Sequence, residues 1–164
     1  MEGQFQEALP FFEEWNRLEG GNRLWQPGLA YYYAGDRARA EEILLPIRGS
    51  SPVDWKAQAV LASFLAARQA NSEARRLIKA ILDSGYEEHH LAYSLGAAYA
   101  QLGDLTEARN WLAEAAHTGF PCYPWYARDP LLDPLRSDPK FQQFMMELKG
   151  SWQAEAARYK SALK

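Results

Sequence analysis

Residues 105–115 read LTEARNWLAEA, and related segments occur at 71–81 (NSEARRLIKAI) and at 37–47 (RARAEEILLPI). Each segment carries an alanine at the same place, and these alanines, Ala40, Ala74 and Ala108, are spaced 34 residues apart. A fixed period of this size indicates a stack of structural repeats in which each unit packs against its neighbours. Because such arrays present extended surfaces, the period predicts a binding surface rather than a catalytic pocket.

Other positions follow the same period. Small residues recur at Gly28, Ala62 and Gly96. Larger residues match in three further sets, which are Tyr31, Leu65 and Tyr99; Leu44, Ile78 and Leu112; and Ile47, Ile81 and Ala115. Small residues beside large ones at helical spacing let two amphipathic helices pack closely. The pattern therefore predicts an all-α fold in which each unit is a pair of antiparallel helices.

The turn inside each unit has its own signal. The turn positions are Gly35, Gln69 and Gly103, with Asp36 and Asp104 after the two glycines. Glycine accepts the positive φ of a helix end, and aspartate caps the helix that follows. Between the first and second units, SSP at 50–52 supplies a stop and a restart.

These residues resemble the tetratricopeptide repeat family, whose pattern runs W-x2-L-G-x2-Y, then A-x3-F, then P. The best match is Leu95, Gly96, Tyr99, Ala108 and Leu112, followed by Gly28, Tyr31, Ala40, Leu44 and Pro52. The middle unit keeps residue sizes without the glycine, in Leu61, Ala62, Leu65, Ala74 and Ile78. Pro27 stands where the family prefers leucine, and none of the three units keeps the early tryptophan.

The resemblance implies an all-α, right-handed α–α superhelix of helix-turn-helix repeats in a single domain over residues 1–164. The expected parts are a half repeat at 1–19, repeats at 21–54, 55–88 and 89–120, a proline-rich connection at 121–138 and a capping helix at 139–164. It also implies a non-catalytic scaffold that binds a protein or peptide.

The N-terminal segment extends the pattern in half-form. GQFQEAL at 3–9, followed by Phe12, reads like the second helix of a unit whose first helix is missing. An unpaired second helix exposes an apolar face, so we expect the chain to be a fragment of a larger protein, with Met1 supplied by cloning. The alternative is a divergent N-terminal cap that bends at Pro10.

The C-terminal segment is rich in proline, at positions 121, 124, 130, 134 and 139. Because proline ends helices, we expect an irregular run at 119–128. Asp129 and Asp138 each precede a proline, which predicts a short helix at 130–136 and a longer one at about 139–160. The longer helix carries one apolar face, which would close the end of the array and consists of Phe141, Phe144, Met145, Leu148 and Trp152.

The run DPLLDPLRSDPKFQQFMMELK, which starts at residue 129, is similar to the tail of tetratricopeptide arrays in many bacterial multidomain regulators. In those proteins the array and tail accompany a kinase, cyclase or winged-helix output domain. This resemblance implies a sensory or scaffolding part of a bacterial regulator.

The family binds partners on the concave face, which the first helix of each unit lines. Carried onto this sequence, that face includes Trp25, Leu29, Tyr32, Tyr33, Lys56, Ala59, Ser63, His90, Tyr93 and Ala97. Aromatic side chains beside small ones form a groove suited to an extended or helical peptide. Two states of this groove stay open: it is free for a partner, or it is filled by residues 120–134 of the same chain.

Two other functions compete with peptide binding. The first is self-association into a homodimer, through Phe5, Phe12 and Trp15 or through the face from Met145 to Trp152. The second is a small-ligand receptor or enzyme that uses the aromatic groove, which requires a closed cavity with convergent polar groups.

Specific chemistry is not indicated elsewhere. One subclass of the family clamps a C-terminal carboxylate with Lys and Asn, but the corresponding positions hold Trp25, Leu29, Val60, His90 and Ser94. Glu87, Glu88, His89 and His90 suggest a metal, yet adjacent helical histidines point about 100° apart, so we expect no metal site.

Catalysis is not predicted either. Cys122 has only His117 nearby, without an evident orienting acid. Asp129, Asp133 and Asp138 are explained by capping and turns, and the glycines follow the repeat rather than a phosphate-binding loop. We therefore expect no catalytic residues and no cofactor.

The composition excludes several classes of protein. A net charge of −3 and a pI near 5.7 argue against nucleic-acid binding, and the cations at Arg68, Arg75, Arg76 and Lys79 suit a solvated helix face. The longest apolar stretch, at 59–67, is shorter than the ~20 residues of a membrane span. No signal peptide is visible, which favours the cytoplasm, although an exported domain of a larger protein also fits.

Overall fold

The computed structural model describes residues 2–18, 25–47 and 53–162, and the regular structure in these ranges is entirely helical. The elements are α1 (Glu2–Leu18), α2 (Gln26–Tyr33), α3 (Arg37–Ile47), α4 (Trp55–Ala67), α5 (Asn71–Ser84), α6 (His89–Gln101), α7 (Leu105–Thr118), α8 (Tyr123–Arg128), a 3-10 helix (Pro130–Leu135) and α9 (Pro139–Ala162). The predicted all-α fold is confirmed. The start of the first predicted repeat, at 21–24, and the predicted stop at 50–52 lie outside the described residues.

The helices pack in consecutive pairs. α2 packs on α3, α4 on α5 and α6 on α7, and a three-residue turn joins the two helices of each pair. The pairs are linked mainly through α4 and α6, with α3 on α4 and α1 on α2. The matched alanines Ala40, Ala74 and Ala108 are all 0% exposed, because each lies in the core of its own pair.

Two glycines allow the helices of their pairs to approach closely. A Cβ atom on Gly28 would lie 2.8 Å from Leu44 Cγ, and one on Gly96 would lie 2.7 Å from Leu112 Cγ. Both distances are shorter than real Cβ contacts allow, so the family-like glycines are required by packing. Ala62, the matched residue of the middle pair, is fully buried.

The three turns have the same conformation. Gly35 (φ 94°), Gln69 (φ 67°) and Gly103 (φ 81°) all adopt positive φ. In each turn the same backbone hydrogen bond forms, from Asp36 N–H to Tyr31 O (2.9 Å), from Ala70 N–H to Leu65 O (2.8 Å) and from Asp104 N–H to Tyr99 O (3.0 Å). This bond closes a helix C-terminus by a Schellman-type motif. The predicted turn positions are therefore confirmed, including the one occupied by glutamine.

The first pair is shorter than the others. α2 contains 8 residues, whereas α4 and α6 contain 13 each. Pro27 lies in the first turn of α2, where proline needs no N–H donor. Pro27 therefore belongs to the start of the helix rather than to its middle.

The N-terminal helix lies against the first pair. α1 runs from Glu2 to Leu18 with Pro10 inside it. Its contact with α2 includes a hydrogen bond from Gln6 Nε2 to Ala34 O (2.9 Å) and one from the Tyr31 hydroxyl to Glu13.

The C-terminal segment contains one element more than predicted. Residues 123–128 form α8, where an irregular run was expected, because Pro124 lies in the first turn and leaves the helix ladder intact. The 3-10 helix and α9 occur where Asp129 and Asp138 predicted helices. On α9, Phe141 and Leu148 are buried, whereas Trp152 is 39% exposed, so the apolar face continues beyond the body of the fold.

None of the helices in the described ranges combines the length and the apolar character needed to cross a membrane.

Candidate functional site

The inner face of the helix pairs is covered by residues 120–135, named here the inserted segment. Two aromatic rings of this segment contact Tyr93 on α6. The ring centroid of Phe120 lies 5.2 Å from that of Tyr93, and the ring centroid of Tyr126 lies 4.8 Å from it. Trp125 packs edge-on against Tyr33 of α2, with ring centroids 5.3 Å apart. Of the two states that the sequence left open, the structure shows the filled groove.

Polar contacts hold the inserted segment at its middle. Asp129 is 0% exposed, and its carboxylate accepts hydrogen bonds from the Tyr93 hydroxyl (2.6 Å) and from Leu131 N–H (2.8 Å). Gln101 Nε2 donates to Leu131 O (2.7 Å), and the Tyr126 hydroxyl donates to Leu112 O (3.2 Å). Because buried polar groups are costly when unpaired, these bonds fix the register of the segment in the groove.

Burial controls the ionisation of this network. Burial raises the pKa of Asp129, while the hydrogen bonds from Tyr93 and Leu131 and the interaction with Tyr33 act in the opposite direction. Burial also raises the pKa values of Tyr33 and Tyr93 well above 10, and the Asp129 carboxylate adds to both shifts. Both phenols therefore remain hydrogen-bond donors at neutral pH.

A small cavity remains beneath the inserted segment. Its volume is about 50 Å³, and its lining residues are Trp25, Leu29, Tyr33, Val60, Ser63, His90, Tyr93, Ser94, Ala97, Phe120, Trp125 and Leu131. Seven of the ten residues predicted for the concave face therefore line one cavity. The other three lie elsewhere: Tyr32 stacks on Phe64 with ring centroids 3.8 Å apart, Lys56 is half-buried in the first turn of α4, and Ala59 is fully buried. Sites for drug-sized ligands are several times larger than this cavity.

A larger groove opens between α1 and the inserted segment, and we name it the α1–α8 groove. Its volume is about 350 Å³, and it is lined by Phe5, Ala8, Phe12, Cys122, Pro124, Trp125 and Arg128. This groove was not predicted from the sequence. Its one signal was the spacing of Phe5 and Phe12 on one face of α1, which carried no information about α8.

Trp125 contains a buried donor without a partner. Among the described residues, the buried Nε1 of Trp125 has no hydrogen-bond acceptor. The residue itself lines both the cavity and the α1–α8 groove. An unpaired buried donor costs about 1–3 kcal/mol.

Apolar side chains also form an exposed stripe on α1. Phe11 (78% exposed), Trp15 (41%) and Leu18 (67%) are spaced as neighbours on one helix face. On α9, Trp152 (39%) and Tyr159 (68%) form a second stripe one heptad apart. Trp15 and Trp152 were both predicted as contacts for self-association.

The residues considered for a metal are closer together than the sequence suggested. Glu88 Oε2 caps α6 by accepting from His90 N–H (3.0 Å) and Leu91 N–H (3.1 Å). Its Oε1 lies 2.7 Å from His90 Nδ1 and 3.3 Å from His89 Nε2. The two imidazole centroids are only 4.2 Å apart, since both rings turn toward the carboxylate that precedes them. Adjacent histidines on a helix were expected to point away from each other, but these two rings converge on the Glu88 carboxylate.

Two of the acidic residues in the C-terminal segment hold helix ends rather than a reactive group. Asp129 caps the 3-10 helix, and Asp138 accepts from Phe141 N–H (2.8 Å) at the start of α9 and pairs with Arg109 (2.6 Å). Cys122 is half-buried and precedes α8, whereas His117 is exposed in the last turn of α7. Asp129 and Asp138 therefore cap helices as predicted.

Comparison of this chain with protein-family models, with curated proteins and with solved structures gives no match.

Proposed function

We propose that this chain is a non-catalytic protein-binding module built as a right-handed superhelix of tetratricopeptide-type helix pairs. The support is the recurrence of the same contacts at a 34-residue period, most clearly in the turns closed by Gly35, Gln69 and Gly103. The resemblance of the tail to those of bacterial multidomain regulators supports a scaffolding role in such a protein. Arrays of this kind bind partners on extended surfaces.

The proposed binding surface is the α1–α8 groove rather than the inner cavity. A partner in the predicted inner groove would have to displace Tyr126, Leu132 and Leu135, which are all 0% exposed. Re-exposing each of these side chains costs about 1.5–3 kcal/mol. The α1–α8 groove is already open and has about 350 Å³ of space for apolar side chains.

The lining indicates the chemistry of the peptide. Phe5, Phe12 and Pro124 provide an apolar floor for an aromatic or aliphatic anchor side chain. The exposed Arg128 favours a nearby carboxylate of the peptide. The open apolar groove lined by Phe5, Phe12 and Pro124 is the observation that carries this proposal.

A selection from a random peptide library displayed on phage tests the proposal. Peptides enriched on the unmodified chain would be synthesised, and their affinities would be measured by fluorescence polarisation against two variants. Phe12→Glu places a charge inside the groove, whereas Phe11→Glu places the same charge on its 78% exposed neighbour. We expect affinity to fall about tenfold or more for Phe12→Glu and to be unchanged for Phe11→Glu.

Peptides that carry an apolar anchor and lose affinity only with Phe12→Glu would support the groove. Equal binding to both variants, or a selection that enriches no sequence on the unmodified chain, would overturn the proposed surface.

Self-association is a second candidate, favoured by the exposed stripes on α1 and α9. The described charged side chains of α1 are Glu7, Glu13, Glu14 and Arg17, and those of the distal part of α9 are Lys149, Glu155, Arg158 and Lys160, with Glu14 paired to Arg17 and Arg158 to Glu155. Opposite charges beside two apolar stripes fit a second copy of this chain bound head to tail.

Light scattering of the unmodified chain and of Trp15→Glu and Trp152→Glu separates this candidate from peptide binding. Head-to-tail association predicts a mass above the monomer that falls with either substitution. A monomer mass for the unmodified chain at high concentration would eliminate self-association and leave the peptide proposal intact.

A further inference from the structure

We propose that Glu88, His89 and His90 form a binding site for a divalent transition-metal ion such as Zn²⁺. Each residue offers one ligand atom, and these atoms all lie within 4.8 Å of one another. Two imidazoles and one carboxylate are the donor set of zinc sites that keep a fourth position open. The site is independent of the α1–α8 groove, because it shares no residue with it.

The separation of His89 and Glu88 fits a common metal ion. With metal–ligand bonds of about 2.0–2.1 Å, two ligands of a tetrahedral ion are about 3.3 Å apart. The observed separation of His89 Nε2 and Glu88 Oε1 is 3.3 Å. His90 Nδ1 is closer to the same oxygen, at 2.7 Å, which is a hydrogen-bond distance that has to widen by about 0.6 Å.

The imidazoles have the freedom that this small movement requires. The side chains of His89 and His90 are 32% and 44% exposed, so neither ring is held on all sides. The Glu88 carboxylate is fixed more firmly, because its Oε2 accepts from two backbone N–H groups at the start of α6. Its Oε1 would therefore bind the ion while Oε2 continues to cap the helix.

The surroundings favour a cation. A groove of about 530 Å³ beside the cluster is lined by Glu87, Glu88, His89, Leu91, Ala92, Trp111, Glu114 and Thr118. The positive end of the α6 dipole disfavours a cation at this position. The carboxylates of Glu87, Glu88 and Glu114 oppose that effect with formal negative charge, and the groove gives water access to the fourth coordination position.

Isothermal titration calorimetry with ZnCl₂ tests the site on the full chain after treatment with EDTA. The unmodified chain should bind one equivalent, and His89→Ala, His90→Ala and Glu88→Gln should each weaken binding about tenfold or more. The matched control is His117→Ala, which removes the chain's third histidine from the exposed last turn of α7. Cys122→Ser controls for zinc held by the thiol, and both controls should bind as the unmodified chain does.

A second measurement, the thermal midpoint of unfolding, distinguishes loss of metal binding from loss of folding in the variants. The thermal midpoint without metal should be similar for the unmodified chain and for Glu88→Gln, since glutamine retains an oxygen that caps α6. Added ZnCl₂ should raise the midpoint of the unmodified chain and of His117→Ala but not that of Glu88→Gln. MgCl₂ should raise none of them, because Mg²⁺ prefers oxygen ligands.

Two outcomes would overturn the site. One is the absence of saturable zinc binding by the unmodified chain. The other is an affinity that is unchanged by His89→Ala and His90→Ala, or that is lost equally in His117→Ala or Cys122→Ser.

Discussion

At the scale of single residues, Gly96 has the shortest added-Cβ contact of the described glycines. An added Cβ would lie 2.7 Å from Leu112 Cγ and 3.1 Å from Ala108 O, and Leu112 is fully buried. We therefore expect Gly96→Ala to lower the free energy of unfolding by about 1–3 kcal/mol, although alanine is the better helix former. Urea denaturation followed by circular dichroism measures the change.

The control for this substitution is another helical glycine. Gly150 lies inside α9, and a Cβ atom there would meet nothing within 4 Å. Gly150→Ala should therefore stabilise the chain by about 0.5–1 kcal/mol. If Gly96→Ala were neutral or stabilising like Gly150→Ala, the close packing of α6 on α7 would be contradicted.

The buried carboxyl group of Asp129 predicts a pH dependence of stability. Burial, the largest effect, raises its pKa in the folded chain above the unfolded value of about 3.9. The folded chain therefore holds this proton more tightly. Its contribution to stability is fully present below the unfolded pKa and is lost as the pH rises through the folded pKa.

Asp129→Asn removes this titration and keeps an oxygen that can accept from Leu131 N–H. The free energy of unfolding of the unmodified chain, minus that of the variant, should fall as the pH rises above about 4 and should then become constant. Urea titrations of both proteins at a series of pH values measure this difference. A difference that rises with pH, or that stays constant throughout, would contradict the raised pKa.

At the scale of elements, the turn between α4 and α5 contains a residue poorly suited to its conformation. Gln69 has φ 67°, whereas the matched turns use glycine at φ 94° and 81°. The left-handed conformation costs a residue with a side chain about 1–2 kcal/mol, and glycine avoids most of that cost. We expect Gln69→Gly to raise the free energy of unfolding by up to about 1 kcal/mol in chemical denaturation.

The reverse change provides the comparison for that turn. Gly103→Gln should lower the free energy of unfolding by about 1 kcal/mol, because its position has φ 81° and nothing within 4 Å to hinder the side chain. If Gln69→Gly and Gly103→Gln changed the free energy of unfolding in the same direction, the turns would not be equivalent.

The sequence predicted those elements whose contacts repeat along the chain. The pairs α2–α3, α4–α5 and α6–α7 follow from a period that places Gly96 opposite Leu112 and repeats that relation at Gly28 and Leu44. α8 was not predicted because Pro124 was expected to break a helix. A proline breaks a helix in its middle, but it is tolerated in the first turn, which is where Pro124 lies.

The candidate site was predictable only in part, for a related reason. Most residues that line the inner cavity on α2, α4 and α6 were named because the family resemblance places them on its binding face, whereas Val60 and Ser94 were not assigned to that face. Whether Phe120 and Trp125 cover them depends on contacts between segments far apart in sequence, such as Tyr33 with Trp125 (5.3 Å). The rings of His89 and His90 converge through side-chain rotations, which residue spacing alone does not determine.

At the scale of the whole molecule, the inserted segment joins elements that an array would otherwise leave separate. Tyr126 is fully buried, and it contacts Tyr93 on α6, the backbone of Leu112 on α7 and Phe144 on α9. Trp125 adds contacts with Phe5 on α1 and with α2. Repeat arrays without such contacts unfold in parts, because each unit interacts only with its neighbours.

Tyr126→Ala should therefore destabilise several helices together, by about 3–5 kcal/mol. We expect amide hydrogen exchange to accelerate by similar factors in α6, α7 and α9, since these helices share the lost contacts. Exchange measured by mass spectrometry on peptic fragments would test this. Acceleration confined to the segment at 120–135 would contradict its joining role.

The same segment also determines how the chain responds to a mechanical load. Stacked helix pairs without cross-contacts behave as a spring, because each interface yields a little under tension. Here the segment connects α1 and α2 at one end of the stack with α6 and α9 at the other through Trp125, Tyr126 and Asp129. We therefore expect tension across the helix pairs to load these contacts, so that extension of the chain requires the segment to detach.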